Sequence, residues 1–166
     1  MKVRHESPGD VAAIDLLIAS AFRDAPHTSH TEQFIVRSLR TSGNLTLSLV
    51  AEIDGRIVGH VALSPVSISD GSTGWYGLGP IAVAPDCQRR GIGSALMGRA
   101  LLDVRELGAH GCVLVGEPEY YGRFGFRAEA ALVFQGVPAQ YFQAHSFGGT
   151  LPSGIVTYDP AFEAQA

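Results

Sequence analysis

The residues best suited to chemistry lie in one short stretch, Gln88-Arg89-Arg90-Gly91-Ile92-Gly93-Ser94. It stands between an apolar run, Ile81-Ala82-Val83-Ala84, and a segment whose apolar residues Leu96, Met97, Ala100, Leu101, Val104 and Leu107 recur at helical spacing. A loop there ends at a helix N-terminus, where backbone N–H groups lack intrahelical acceptors and the helix dipole is positive. Gly91 and Gly93 let an anion approach main chain that a Cβ would shield. The predicted chemistry is diphosphate binding by the backbone from Gln88 to Ser94.

Two common diphosphate sites do not match. A dinucleotide fingerprint needs glycine or alanine at position 96, where Leu96 stands. A nucleoside-triphosphate loop needs Gly-Lys-Ser/Thr, and the only lysine is Lys2. The six histidines, His27 and His30 in a polar loop among them, show no zinc spacing, so no metal is expected. Cys87 lies beside the loop without a neighbouring base, and Cys87 and Cys112 form no Cys-x-x-Cys pair.

The elements that position this loop are legible around it. Ser7-Pro8-Gly9-Asp10 reads as a capped helix start, followed by Val11, Ile14, Ile18, Ala21 and Phe22 at helical spacing. A second helix is predicted over Thr31–Arg40, with Phe34, Ile35 and Leu39 inward and Ser42-Gly43-Asn44 as its stop. Leu45–Ile53 and Arg56–Ser67 read as a hairpin about Asp54-Gly55, and Trp75–Val83 as the next strand. The helix over Gly91–Leu107 then crosses to Gly111–Val115, which must lie parallel to Trp75–Val83. Two last strands are expected near Tyr141–Phe147 and Gly154–Tyr158. The fold class is α/β, a mixed, mostly antiparallel sheet with helices on both faces, formed by one domain over residues 1–166.

Composition narrows the partners. A formal net charge of −4 and no basic tract beyond Arg89-Arg90 exclude nucleic acid as the main partner. The apolar segments are too short or too charged to span a membrane, and no secretory leader opens the chain. With only two cysteines, a reducing cytoplasm is the expected location, as monomer or homodimer.

A second signature, Tyr120-Tyr121-Gly122-Arg123-Phe124-Gly125-Phe126, follows the parallel strand. Together with Gln88-Arg89-Arg90-Gly91-Ile92-Gly93, it resembles the GCN5-related N-acetyltransferases (GNAT), in particular a small bacterial branch with this tyrosine motif. The tail, Val137-Pro138-Ala139-Gln140-Tyr141-Phe142 and Thr157-Tyr158-Asp159-Pro160, is similar to the same branch, so the resemblance covers nearly the whole chain. It implies a fold with a central splayed parallel strand pair, acetyl-CoA as co-substrate, and acetyl transfer to a primary amine of a small molecule or peptide.

The resemblance also implies roles. The strand at Ile81, Ala82 and Val83 would line the pantetheine arm, with Ile81 N–H on the thioester oxygen. Gln88, Arg89, Arg90, Gly91, Ile92, Gly93 and Ser94 would hold the pyrophosphate. Tyr121 would face the coenzyme sulfur and protonate the departing thiolate, with Tyr120 pointing elsewhere. Many members carry a glutamate on the strand before the phosphate loop, but Trp75-Tyr76-Gly77-Leu78-Gly79 offers no carboxylate. Glu117, Glu52, His60 and a water chain are the candidate bases. The alternative reading is an acetyl-CoA sensor using the same cradle without turnover, and a third is a site for a different nucleotide.

Overall fold

The computed structural model describes residues 1–26 and 28–166, so the reading of His27 in a polar loop lies outside it. Its main sheet begins with β1 (Lys2–His5), β2 (Leu47–Ile53) and β3 (Arg56–Pro65). Asp54 and Gly55, with φ of 49° and 78°, turn β2 into β3, which is the backbone a two-residue Asp-Gly hairpin demands. After a two-residue β4 (Ser67–Ile68), the chain enters β5 (Trp75–Val83), antiparallel to β3. The helix α3 (Ile92–Glu106) leads to β6 (Gly111–Val115), parallel to β5.

Two helices precede β2: α1 (Val11–Phe22) and α2 (Glu32–Ser42). They and α3 cover opposite faces of the sheet, as adjacent positions on β3 show. A Cβ on Gly59 would meet Ile92 and Leu96 of α3. The next residue, His60, joins a polar chain that ends at Arg40 of α2. With both faces covered, β3 is buried without interruption from Val58 to Ser64. Leu49, Val61, Leu96 and Met97 of the core are fully buried between these layers.

The last third of the chain adds a one-turn helix α4 (Pro118–Tyr121), β7 (Arg127–Ala128), β8 (Leu132–Val133), β9 (Phe142–Ser146) and β10 (Gly154–Thr157). The seven-stranded sheet runs β1-β2-β3-β5-β6-β9-β7, and β4, β10 and β8 form a smaller one. This second sheet was not expected, because strands of two residues carry no periodicity. Its Val156 packs with Trp75 and Phe142 of the main sheet in a separate small core.

Three assignments shift. The helix caps on Ser7 and Asp10 as predicted, but its first turn is a 3₁₀ turn, and Leu17 joins Ile14 and Ile18 in the core. In α2 the buried residue beside Ile35 and Leu39 is Val36, while Phe34 stays half-exposed. Leu107 lies beyond α3 and is 59% exposed. It is the C-cap of the helix, and Gly108, with φ of 88°, turns the chain directly after it.

Candidate active site

Parallel pairing between β5 and β6 lasts only from Trp75 to Gly77. Beyond Gly77 the strands part, while β5 stays paired to β3 as far as Val83. Two residues of β5, Gly79 and Pro80, stand opposite the single Ala62 of β3. Past this bulge, Ala84 N–H donates to Val58 O at 2.8 Å. Hydrogen-bonded and non-bonded positions alternate along an antiparallel pair, so Ala82 shares Ala84's orientation. Ile81 and Val83 therefore aim their N–H and C=O groups away from β3, into the gap. The Gln88 side chain reaches back and donates from Nε2 to the Val83 carbonyl at 3.2 Å. The gap thus offers a row of main-chain partners to an extended amide-bearing ligand.

The predicted phosphate loop closes one end of the gap. Gly91 caps α3 with φ of 81°, a left-handed conformation that glycine adopts without strain. The first helical bond runs from Ala95 N–H to Gly91 O, so the N–H groups of Ile92, Gly93 and Ser94 have no helical acceptor. No protein atom lies within 4 Å of a Cβ built on Gly91, which leaves its outer side open. Arg89, also exposed, holds φ of 65°, unusual for a residue with a side chain. A cleft of about 400 Å³ runs over this loop, walled by Val83, Gln88, Gly93, Tyr120 and Arg123. It has the donors and the space for a diphosphate.

Tyr120 and Arg123 are absent from the sequence assignment of this cradle. Tyr120 points away from Tyr121 and toward the glycine loop. Its hydroxyl lies 3.1 Å from where a Gly93 Cβ would stand, and Arg123 stacks on its ring at 5.4 Å. The signal was present, since an arginine two residues past a motif tyrosine is a natural anion partner. Tyr121, next on α4, faces the other way along the gap. Its ring lies on Gly116, where any Cβ would overlap it, and meets Tyr120 edge-on at 4.9 Å. Burial, with the neighbouring Tyr120, pushes the Tyr121 phenol up to about 12.

Two further clefts complete the path. One of about 800 Å³ is shared by Tyr120, Tyr121 and Glu117, whose exposed side chain stands at its rim. The other, about 390 Å³, opens where β5 and β6 part and is lined by Leu78, Ile81, Leu114 and Tyr121. Glu32 of α2 enters this last cleft, a carboxylate that no motif marks in the sequence.

The structure takes two candidate bases away from the gap. Glu52 is paired with Arg4 at 3.0 Å on the β1 side of the sheet. His60 is wholly buried beneath α2, its Nε2 2.8 Å from Ser48 Oγ. Ser48 donates to Glu6, and Arg40 Nε donates to Glu6 at 2.9 Å. Burial holds the His60 imidazole neutral, down to about 4. Burial raises the Glu6 carboxyl, but the bonds from Arg40 and Ser48 outweigh it and leave the group below its usual range. Cys87 and Cys112 are free and buried, and burial drives the Cys112 thiol up to about 12. No helix among the described residues is long and apolar enough to cross a membrane.

Comparison with known proteins agrees with this geometry. Residues 44–128 match the acetyltransferase (GNAT) domain, a range that takes in the opened strand pair, the glycine loop and Tyr121. The uncharacterized N-acetyltransferase YhbS of Escherichia coli K12 is 37% identical over 131 residues, 78% of this chain and 75% of the relative. A GNAT family acetyltransferase from Brucella melitensis, solved in complex with acetyl-CoA, is 45% identical, with a TM-score of 0.87 over 97% of both chains. YhbS from Escherichia coli in complex with CoA superimposes with a TM-score of 0.89 at 32% identity, covering 99% of this chain and 93% of that one. Sequence and overall structure agree with these relatives over most of the chain, and it belongs to the GNAT family of N-acetyltransferases.

Proposed function

We propose that this acetyltransferase moves an acetyl group from acetyl-CoA directly to a primary amine, with the cofactor threaded through the gap between β5 and β6. The observation that carries the reading is the pair of main-chain positions, Ile81 and Val83, turned into that gap at the end of which three N–H groups lie free. In this reading Gln88 to Ser94, helped by Tyr120 and Arg123, hold the pyrophosphate. Val83 pairs with the pantetheine amides once the Gln88 amide yields its carbonyl. Ile81 N–H then meets the thioester oxygen, and Ala82 fixes the strand against β3.

The amine nitrogen attacks the thioester carbon, and negative charge gathers on the oxygen facing Ile81 N–H. The carbon–sulfur bond breaks as the carbonyl re-forms. Of the two protons that an ammonium must shed, one goes to the coenzyme sulfur and one to solvent. Tyr121 supplies the proton to sulfur. A phenol near 12 is a weak acid toward an ordinary thiolate near ~8.5. A thiolate leaving inside this cleft loses water as well, which raises its proton affinity toward that of the phenol. Tyr121 meanwhile stays protonated at every working pH and is ready to donate. Glu117, at the rim, passes the other proton to water.

The test is calorimetric titration with acetyl-CoA, followed by release of free thiol on adding a panel of primary amines. Tight acetyl-CoA binding with acceptor-dependent thiol release is the expected result. Binding without release by any amine overturns the transfer reading.

A further inference from the structure

The cleft that meets Ile81 is walled on its outer side by aromatic rings. Phe134, Tyr158 and Phe162 form a continuous surface, with Phe134 and Tyr158 centroids 4.9 Å apart and Tyr158 and Phe162 4.8 Å apart. Gly77 makes room for this wall, since a Cβ there would come within 2.6 Å of the Tyr158 ring. Phe22 and Ile35 extend it from the helices. Among the described residues that line it, the one charged group is Glu32. Thr28 Oγ1 lies 2.7 Å from each of its carboxylate oxygens and fixes their direction, and among the described residues no cation pairs with it.

We propose that the acceptor is a primary amine carrying one flat apolar group, with its ammonium held by Glu32 and its ring laid on the Phe134–Tyr158–Phe162 wall. The proposal rests on the amine-transfer reading and narrows its substrate. An ammonium entering a mostly apolar cleft loses water and needs a fixed opposite charge, which Glu32 supplies. The ring loses water without losing any hydrogen bond and meets offset or edge-on aromatic partners. The same features reject two other classes of amine. An α-amino acid brings its carboxylate up against that of Glu32. A polyamine places its second ammonium on the aromatic wall, where cation–π attraction returns only part of the hydration it loses. No second carboxylate among the described lining residues supplies the rest.

The experiment uses the intact protein with phenethylamine, phenylalanine and spermidine as probes. Thiol release is followed with acetyl-CoA, and phenethylamine binding is measured by calorimetry on the CoA-loaded protein, for wild type and Glu32→Gln. Phenethylamine is expected to be the best of the three by at least tenfold in kcat/KM. Glu32→Gln should raise its KM at least tenfold, leave the acetyl-CoA Kd within twofold, and weaken phenethylamine binding by a similar factor. Glu32→Asp, which keeps the charge, should recover part of the loss. Transfer to spermidine or phenylalanine as efficient as to phenethylamine overturns the inference and leaves the transfer reading standing. An unchanged KM and unchanged amine binding in Glu32→Gln overturn it too. If no amine releases thiol, Glu32-dependent phenethylamine binding still upholds this assignment while the transfer reading falls, and absent or Glu32-independent binding refutes it.

Discussion

Gly91 is where one methyl group tests the phosphate cradle most directly. Its φ of 81° and ψ of 7° lie in the left-handed region, and an added Cβ would touch no protein atom within 4 Å. Gly91→Ala therefore causes no clash, and its cost is conformational, about 1–2 kcal/mol for an L-residue held left-handed. That cost must appear somewhere. If the loop keeps its shape, the protein loses that stability, and the melting temperature falls by roughly 2–8 °C for a chain of this size. If the loop relaxes instead, the N–H groups of Ile92, Gly93 and Ser94 lose their common aim, and acetyl-CoA affinity falls by about 5- to 30-fold. Calorimetric unfolding and acetyl-CoA titration on the same variant measure both shares, which should sum to about 1–2 kcal/mol. Gly91→Asn should lose less, because asparagine tolerates this conformation. Gly91→Val should lose more, at least tenfold in affinity or about 1.4 kcal/mol, because its branches fill the open side of the loop. Unchanged melting and unchanged affinity in Gly91→Ala would refute the argument.

Further outcomes follow from the same geometry. Tyr121→Phe should lower kcat by roughly ten- to a thousandfold with acetyl-CoA Kd nearly unchanged, and wild-type kcat should show no alkaline fall from this group below about pH 11, as stopped-flow thiol release will show. Gly93→Ala should weaken acetyl-CoA binding, and Tyr120→Phe in the same chain should recover part of it, because the Cβ and the Tyr120 hydroxyl compete for one place. A cycle of Kd values additive within about 0.3 kcal/mol would deny that coupling. His60 titrates near 6.5 when unfolded and about 4 when folded, so the unfolded chain binds the extra proton between those values. Stability should be full above pH 6.5 and drop by on the order of 3 kcal/mol as pH falls to 4, with Glu6 adding a further loss below its ordinary range. His60→Gln should flatten the decline above pH 5 in urea titrations, and an equally steep decline would assign it to other groups.

How much of this was legible in the sequence depended on how local the cause was. The glycine loop and α3 were readable because Gly91, Gly93 and a repeating apolar stripe act within a few turns of chain. Tyr121 could be singled out through its motif, but the place of its neighbour at the glycine loop could not. Both rings of a one-turn helix face an opened gap, and no inward face distinguishes them. Glu32 was unreadable because its setting is assembled from distant parts: Asn44 donates to Asp159 at 2.8 Å, Ala161 packs on Ile35 and Leu39, and these contacts bring Phe162 and Tyr158 to the cleft. His60 did carry a signal. A histidine inside the run Ile57-Val58-Gly59-His60-Val61-Ala62-Leu63, on a strand covered on both faces, must find a buried polar partner, and Ser48 on the next strand is that partner.

The bulge at Gly79-Pro80 acts on β5 as a frameshift acts on a coding sequence. A strand is read in twos. Upstream, Val66 N–H donates to Trp75 O at 3.1 Å, so odd-numbered residues of β5 bond to β3 and even-numbered ones, such as Tyr76, serve β6. Downstream, the even-numbered Ala82 and Ala84 bond to β3, and the odd-numbered Ile81 and Val83 are released. In an unshifted count the group offered to the gap would come from residue 80, a proline with no N–H to give. One extra residue hands that position to Ile81. The register of this segment against β3 is therefore under tighter constraint than its composition. A one-residue slip that closed the bulge while keeping both residues would turn Ile81 and Val83 back onto β3 and send every later side chain of the strand to the opposite face. Deleting residue 79 or 80 would instead leave Ile81 and Val83 facing the gap and remove only the bulge.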